Sequence, residues 1–284
     1  MPIVAPRAVD AESEPHTLAA MDEVMQHAYD RSSFGDSIDR FVAAQPDGLC
    51  VVELDGRVVG AGCCVAYPSA GFGWIGLIAT EPGFERRGIA TAITEHLSRV
   101  LEARGCGSVL DASAAGAPVY QRMSFDDHGL TTVVSPGDEL RLHDGESCEL
   151  LSTGDLEAVV AFDAARFGAP RAVLLSKLLE QQPGRAFVLR RGGQLAGYLV
   201  AQDATLAPVV ADDAAALAVL LSSALRLDFS SAPRINVPPD SGHLDALLAL
   251  GFEQRRQLRH MHRGIGQLPG RRECVAGMVS LGEG

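Results

Sequence analysis

Strings from the first half of this 284-residue chain return in its second half, and internal repetition limits the fold before any motif does. Gly56-Arg57-Val58-Val59-Gly60 is echoed by Gly193-Gln194-Leu195-Ala196-Gly197, an offset of 137 residues. Tyr120-Gln121-Arg122-Met123-Ser124-Phe125 is echoed by Leu247-Leu248-Ala249-Leu250-Gly251-Phe252, an offset of 127. Close but unequal offsets describe a duplicated unit with insertions and deletions between its markers; chance likeness of short apolar strings is the competing account. The length agrees with duplication, since domains cluster at roughly 100–150 residues and two would fill the chain. The expected domains are 1–140 and 146–284, separated by the polar, turn-rich stretch 135–145.

Within the first half, strand and helix patterns alternate. An opening strand near 3–9 precedes helices around 17–29 and 37–44. Leu49–Leu54 and Arg57–Ala61 read as two strands joined at Asp55-Gly56, because that pair tolerates the positive φ of a tight hairpin. Another strand follows at 73–79. The period changes from 88 to 104, where Ile89, Ile93, Leu97, Val100 and Leu101 recur at helical spacing. Glu95, His96, Arg99 and Glu102 hold the other face, which predicts an amphipathic helix packed on the sheet. Gly105 and Gly107 stop it. A short buried strand at 108–112, a short helix at 117–123 and a closing strand at 131–134 complete a mixed α/β unit.

The stretch from Trp74 to Ile93 carries the chemistry. A buried strand runs through a turn into the start of the amphipathic helix, and the junction holds Gly88 and the small Ala90. Unbonded backbone N–H groups at a helix start, with the positive end of the helix dipole, make an anion site. Small residues let the backbone approach a pyrophosphate, and Arg86 and Arg87 add charge at its rim. A dinucleotide fold would need G-x-G-x-x-G and a P-loop would need Gly-Lys-Ser/Thr; neither is here.

Glu85-Arg86-Arg87-Gly88-Ile89-Ala90 resembles the R/Q-x-x-G-x-G/A signature of the GNAT acetyltransferases at every position but the first. Pro118-Val119-Tyr120-Gln121-Arg122-Met123-Ser124-Phe125 is similar to the family's L-Y-e-k-x-G-F helix, with Ser124 in place of the glycine. The order of the two segments also matches. The resemblance implies, in each half, a mixed, mostly antiparallel sheet flanked by helices. It implies acetyl-CoA as co-substrate, held by Ile78, Ala79 and Thr80 on a splayed fourth strand, by Glu85, Arg86, Arg87, Gly88, Ile89, Ala90 and Thr91, and by Ser113. Tyr120 is then the candidate acid that protonates the departing thiolate. Glu81 is the nearest carboxylate to serve as base, with a chain of waters as the alternative.

The whole chain looks like a tandem arrangement in which the second GNAT-like half lacks the coenzyme site. Its strand-to-helix junction, Pro208-Val209-Val210-Ala211-Asp212-Asp213-Ala214, has no glycine and two carboxylates, and Leu247 stands where Tyr120 stands in the first half. Arg171 is a candidate for holding a substrate carboxylate, although Pro170 occupies the position where the resemblance implies an Asp partner.

The formal charge of −12 disfavours nucleic-acid and anionic-membrane partners, which need a basic footprint; it either draws in cationic small molecules or serves only solubility. The six cysteines form no C-x-x-C pair, and reduced thiols in a cytoplasm are the simplest account. His260-Met261-His262 puts two imidazoles on one face of a strand without a third ligand nearby, so no metal is expected. No leader pattern opens the chain, and 214–227 is too short an apolar stretch to span a bilayer. The expected activity is transfer of an acetyl group from acetyl-CoA to a primary amine of a small molecule. A non-catalytic acyl-CoA sensor and a transferase of longer acyl groups are the alternatives, and a homodimer is left open.

Overall fold

The computed structural model describes residues 5–143 and 145–284. By its contacts the chain divides into two compact units. The first runs through Asp126 and takes in Met261–Gly266 and Glu283; the second holds Asp127–His260, Gln267–Gly282 and Gly284.

The first unit contains β1 (Arg7–Ala8), α1 (Pro15–Tyr29), α2 (Gly35–Ala44), β2 (Leu49–Leu54), β3 (Arg57–Tyr67), β4 (Phe72–Thr80), α3 (Ile89–Glu102), β5 (Gly107–Ala112) and α4 (Ala117–Arg122). The second contains β6 (Asp126–Pro136), β7 (Glu149–Leu150), α5 (Leu156–Phe167), α6 (Ala172–Gln181), β8 (Ala186–Arg191), β9 (Gln194–Ala201), β10 (Leu206–Ala211), α7 (Ala214–Ala224), β11 (Ile235–Val237), α8 (Leu244–Ala249), most of β12 (Phe252–Arg263) and β13 (Val275–Gly277).

In the first unit β1 to β4 pair antiparallel and β5 lies parallel to β4. Asp55 and Gly56, at φ 53° and 75°, make the hairpin between β2 and β3. α3 buries Ile89, Ile93, Leu97 and Leu101 on the sheet. Its closeness has a cause in the strands beneath it. A Cβ at Gly60 would meet Ile89 Cγ2 at 2.3 Å, one at Gly62 would meet Ile93 Cγ2 at 2.5 Å, and one at Gly73 would meet Leu101 Cδ2 at 2.4 Å. Three bare positions therefore let the helix rest on strand backbone. α1 begins with Pro15, whose missing N–H costs nothing in a first turn, and ends where Asp30 turns left-handed and bonds the Gln26 carbonyl.

The second unit repeats parts of this plan. Its sheet β13-β10-β9-β8-β7 is antiparallel throughout. Gly197, the counterpart of Gly60, faces α7, and a Cβ there would meet Leu220 Cδ1 at 2.7 Å. β6 pairs antiparallel with β11 and neighbours β12.

One expectation changes. The strand predicted to close the first sheet, 131–134, lies inside β6 and belongs to the second unit; beside β5 the first unit has the final residues of β12. A run of β-branched residues marks a strand without naming its partner, so the exchange is invisible locally. The division accordingly falls before β6, ahead of the 135–145 stretch expected to hold it. No helix among the described residues is long and apolar enough to cross a membrane.

Candidate functional site

The first unit's site starts from a strand whose two edges behave differently. β4 pairs with β5 only from Phe72 to Trp74, yet stays paired to β3 as far as Thr80. Between Ala61↔Ala79 and Cys63↔Gly76 the register slips, so that β4 spends one residue more than β3. Leu77 takes the bulge at φ 53°, a left-handed backbone that a leucine adopts only under constraint. Ile78, Ala79 and Thr80 lie beyond the bulge, on an edge that β5 no longer covers.

The turn that follows is built to end in a helix start. Arg86 and Gly88 both have positive φ, 61° and 81°, and Gly88 caps α3. A Cβ at Gly88 would have no heavy atom within 4 Å, so space remains above the cap. The first helical hydrogen bond runs from the Ala92 N–H to the Gly88 carbonyl, which leaves the amides of Ile89, Ala90 and Thr91 without a partner inside the helix. Glu85 does not intrude on this helix start: its carboxylate accepts from the Gly83 amide at 2.9 Å within the turn. The Arg87 guanidinium lies over the Phe84 ring, 4.8 Å from its centre. The exposed backbone amides and the open cap together fit an anionic pyrophosphate.

Tyr120 sits on α4, half-buried, with its ring edge-on to Phe125 at 5.9 Å. Burial pushes its phenol above the ordinary value, opposed by a hydrogen bond with the Thr94 hydroxyl. Ser113 lies just before α4 and is spent locally, its side chain and carbonyl both accepting from the Gly116 amide.

Glu81 is buried at the end of β4, and its carboxylate is already engaged. Arg57 from β3 donates to Oε1 at 2.6 Å, and His27 Nδ1 from α1 lies 3.0 Å from Oε2. His27, Asp30, Arg31, Ser32, Glu81 and Pro82 line an open cavity of about 680 Å³. Two residues beyond His27, the Tyr29 hydroxyl donates to the Ile78 carbonyl at 2.6 Å. Tyr29 as a residue keeps 44% of its surface exposed, while its hydroxyl is tied to β4. Burial first, then the neighbouring Tyr120 and Cys63, raise its pKa. Burial also raises the thiols of Cys63 and Cys64, so neither supplies a thiolate.

The profile of the acetyltransferase (GNAT) family matches residues 10–125, and that of an acetyltransferase (GNAT) domain matches residues 159–277. The chain consists of two GNAT domains in tandem. It is similar to holothin acyltransferase of Pseudoalteromonas sp. (strain SANK 73390), 22% identical over 236 residues, which are 81% of this chain and 79% of the relative. Among solved structures, a protein from Pyrococcus horikoshii assigned as an acetyltransferase superposes with a TM-score of 0.84 at 21% identity, covering 100% of this chain and 97% of the other. A tandem GNAT protein from the clavulanic acid biosynthesis pathway gives 0.62 at 17% identity, over 93% of this chain and 100% of its own.

In the second GNAT domain the corresponding helix start is filled by its own side chain. Asp213 caps α7, its carboxylate accepting from the Ala216 amide at 2.7 Å and facing Arg191 at 3.2 Å. The amide bond, chiefly, holds this carboxyl below the usual range. Asp212 is bound by Arg166 at 2.6 Å, and Leu247 is buried in the core. Arg171 is buried as well. It grips Asp163 through two bonds of 2.8 and 2.9 Å, stacks over Phe167 and donates to the Gly284 carbonyl at 2.8 Å. The partner that Pro170 could not supply thus comes from α5, and a substrate carboxylate would have to displace Asp163 to reach Arg171.

Sequence reasoning missed His27, Tyr29 and Arg57. His27 and Tyr29 close the last turn of a helix with no motif in it, and Arg57 reads as hairpin punctuation; only the fold brings them to β4.

Proposed function

We propose that the chain is an N-acetyltransferase that moves an acetyl group from acetyl-CoA directly to a primary amine of a small molecule in the cytoplasm. The observation that carries this reading is the glycine-capped start of α3, open above the cap, beside a β4 edge that β5 leaves after Trp74. Pyrophosphate would be held by the amides near Gly88, with Arg86 and Arg87 at the rim, and the pantetheine arm along Ile78, Ala79 and Thr80. Hydrogen bonds from this edge to the thioester carbonyl would favour attack at its carbon. Tyr120, kept protonated by burial, suits protonation of the departing sulfur. Ser113, just before α4, would be a further coenzyme contact if its hydroxyl gave up the Gly116 amide. The second domain, with Asp213 across its helix start, is read as having no coenzyme site.

Calorimetric titration with acetyl-CoA, followed by thiol release with a panel of amines, tests the reading. Binding with amine-dependent release supports transfer; binding without release turns the protein into an acyl-CoA sensor, and absence of binding removes the proposal. Because the relative from Pseudoalteromonas is named for acylation in general, propionyl- and succinyl-CoA belong in the same assay. Better saturation with either would move the donor to a longer acyl group.

A further inference from the structure

Resting on the acyltransferase reading above, we propose that His27 takes the proton from the acceptor amine, and that Glu81 is a positioning residue that fixes the tautomer of the His27 ring. Glu81 was the nearest carboxylate in the sequence, but its surroundings suit a different task. The guanidinium of Arg57 holds Oε1 at 2.6 Å, and the side chain is only 9% exposed. Both oxygens of this carboxylate already have partners, so an amine would have to displace Arg57 or His27 to reach it. Oε2 faces His27 Nδ1 at 3.0 Å, so the ring hydrogen belongs on Nδ1 and the lone pair on Nε2. His27 itself is 55% exposed and lines the same 680 Å³ cavity as Glu81.

The last turn of α1 is fastened to β4 at two points, Tyr29 to Ile78 and His27 to Glu81. Three residue steps along the chain separate these points, about 10 Å. One end of the turn therefore touches the strand residue proposed for the acyl group, and the imidazole, held about 10 Å further along, would take the proton through a chain of water molecules rather than by direct contact. The step balances as follows. The amine nitrogen bonds to the thioester carbonyl carbon and the C–S bond breaks with its electron pair on sulfur. One proton passes from nitrogen to His27 Nε2, Tyr120 protonates the sulfur, and both side chains re-equilibrate with solvent. An ammonium substrate thus loses two protons, one to the thiol and one to solvent.

The charged groups around His27 are Glu81 at the end of β4, Arg57 on β3, and Asp30 and Arg31 after α1. Because several of them could shape a pH profile, the profile is assigned by substitution. Steady-state thiol release by the full chain is measured with acetyl-CoA and three amines, an amino acid, an alkyl diamine and an aminoglycoside. His27→Ala is expected to lower kcat about 100-fold, to leave the acetyl-CoA KM within about twofold, and to erase the acid-side fall in rate that ring protonation causes. Glu81→Gln is expected to lower kcat about tenfold, with Glu81→Asp recovering part of the loss. Independently of turnover, ¹⁵N imidazole shifts are expected to show the Nδ1–H tautomer of His27 in the wild type and a mixture in Glu81→Gln. A His27→Ala enzyme within about threefold of wild type that keeps its acid limb overturns the proposal, as does an Nε2–H tautomer in the wild type. A wild type that neither binds acetyl-CoA nor releases thiol overturns the parent reading as well, whatever the tautomer.

Discussion

Tyr120 is a residue whose environment matches the task proposed for it. Burial raises its pKa, so it stays a neutral donor across the working range and loses its proton only as pH rises through that raised value. Tyr120→Phe is expected to lower kcat about 100-fold while the acetyl-CoA dissociation constant stays within about twofold; stopped-flow transfer rates and calorimetry read the two separately. An unchanged rate would return Tyr120 to the role of a packing residue against Phe125. This residue was legible because a phenol inside a short apolar helix, placed after a buried strand, is a local pattern. Glu81 was legible only as a carboxylate at a strand end. Its engagement by Arg57 and His27 joins residues 24 and 54 positions away, and no spacing rule spans such gaps.

At the scale of elements, both domains rest a helix on bare strand backbone, and the two helix starts then diverge. Gly62→Ala would drive a methyl group to 2.5 Å from a branched Ile93 side chain that has little room to yield. A destabilisation of about 1–3 kcal/mol is expected from such overpacking, read as a lowered Tm. The sequence marked α3 nearly to its ends but only the first part of β3, 57–61 of Arg57–Tyr67, and read Gly60 only as hairpin punctuation, because close approach depends on what packs above a strand. Asp213 supports the opposite prediction from Gly88. Removing this cap with Asp213→Ala is expected to cost about 1 kcal/mol. The sign of its pH dependence follows from a folded pKa held below the ordinary aspartate value, chiefly by the bond from the Ala216 amide. The carboxylate's contribution is in place above the unfolded value and disappears as pH falls through the folded one. Chemical denaturation of the wild type and the variant should therefore converge in acid and separate toward neutrality.

For the whole molecule, the expected stoichiometry is one acetyl-CoA per chain, measured by calorimetry; two would mean that the second helix start admits the coenzyme despite Asp213. The tandem plan was readable from repeated strings, since each string sits at a hairpin or helix that the fold needs twice. The exchange of closing strands was not readable: β6 and β12 are both long, neither carries a clean alternation, and pairing is decided by residues more than a hundred positions apart. Within the first unit, Glu283 returns from the far end of the chain to pair with buried Arg40 at 2.7 Å, another long-range contact without a local signal.

A side chain that stands in for a ligand also shapes what evolution can do next. While Asp213 caps its own helix, mutations that would admit a phosphate there first strip away a stabilising bond and offer nothing in exchange until further changes have accumulated. A domain built this way is held on one side of a ridge: it is better placed to acquire new surfaces than an anion site at this helix.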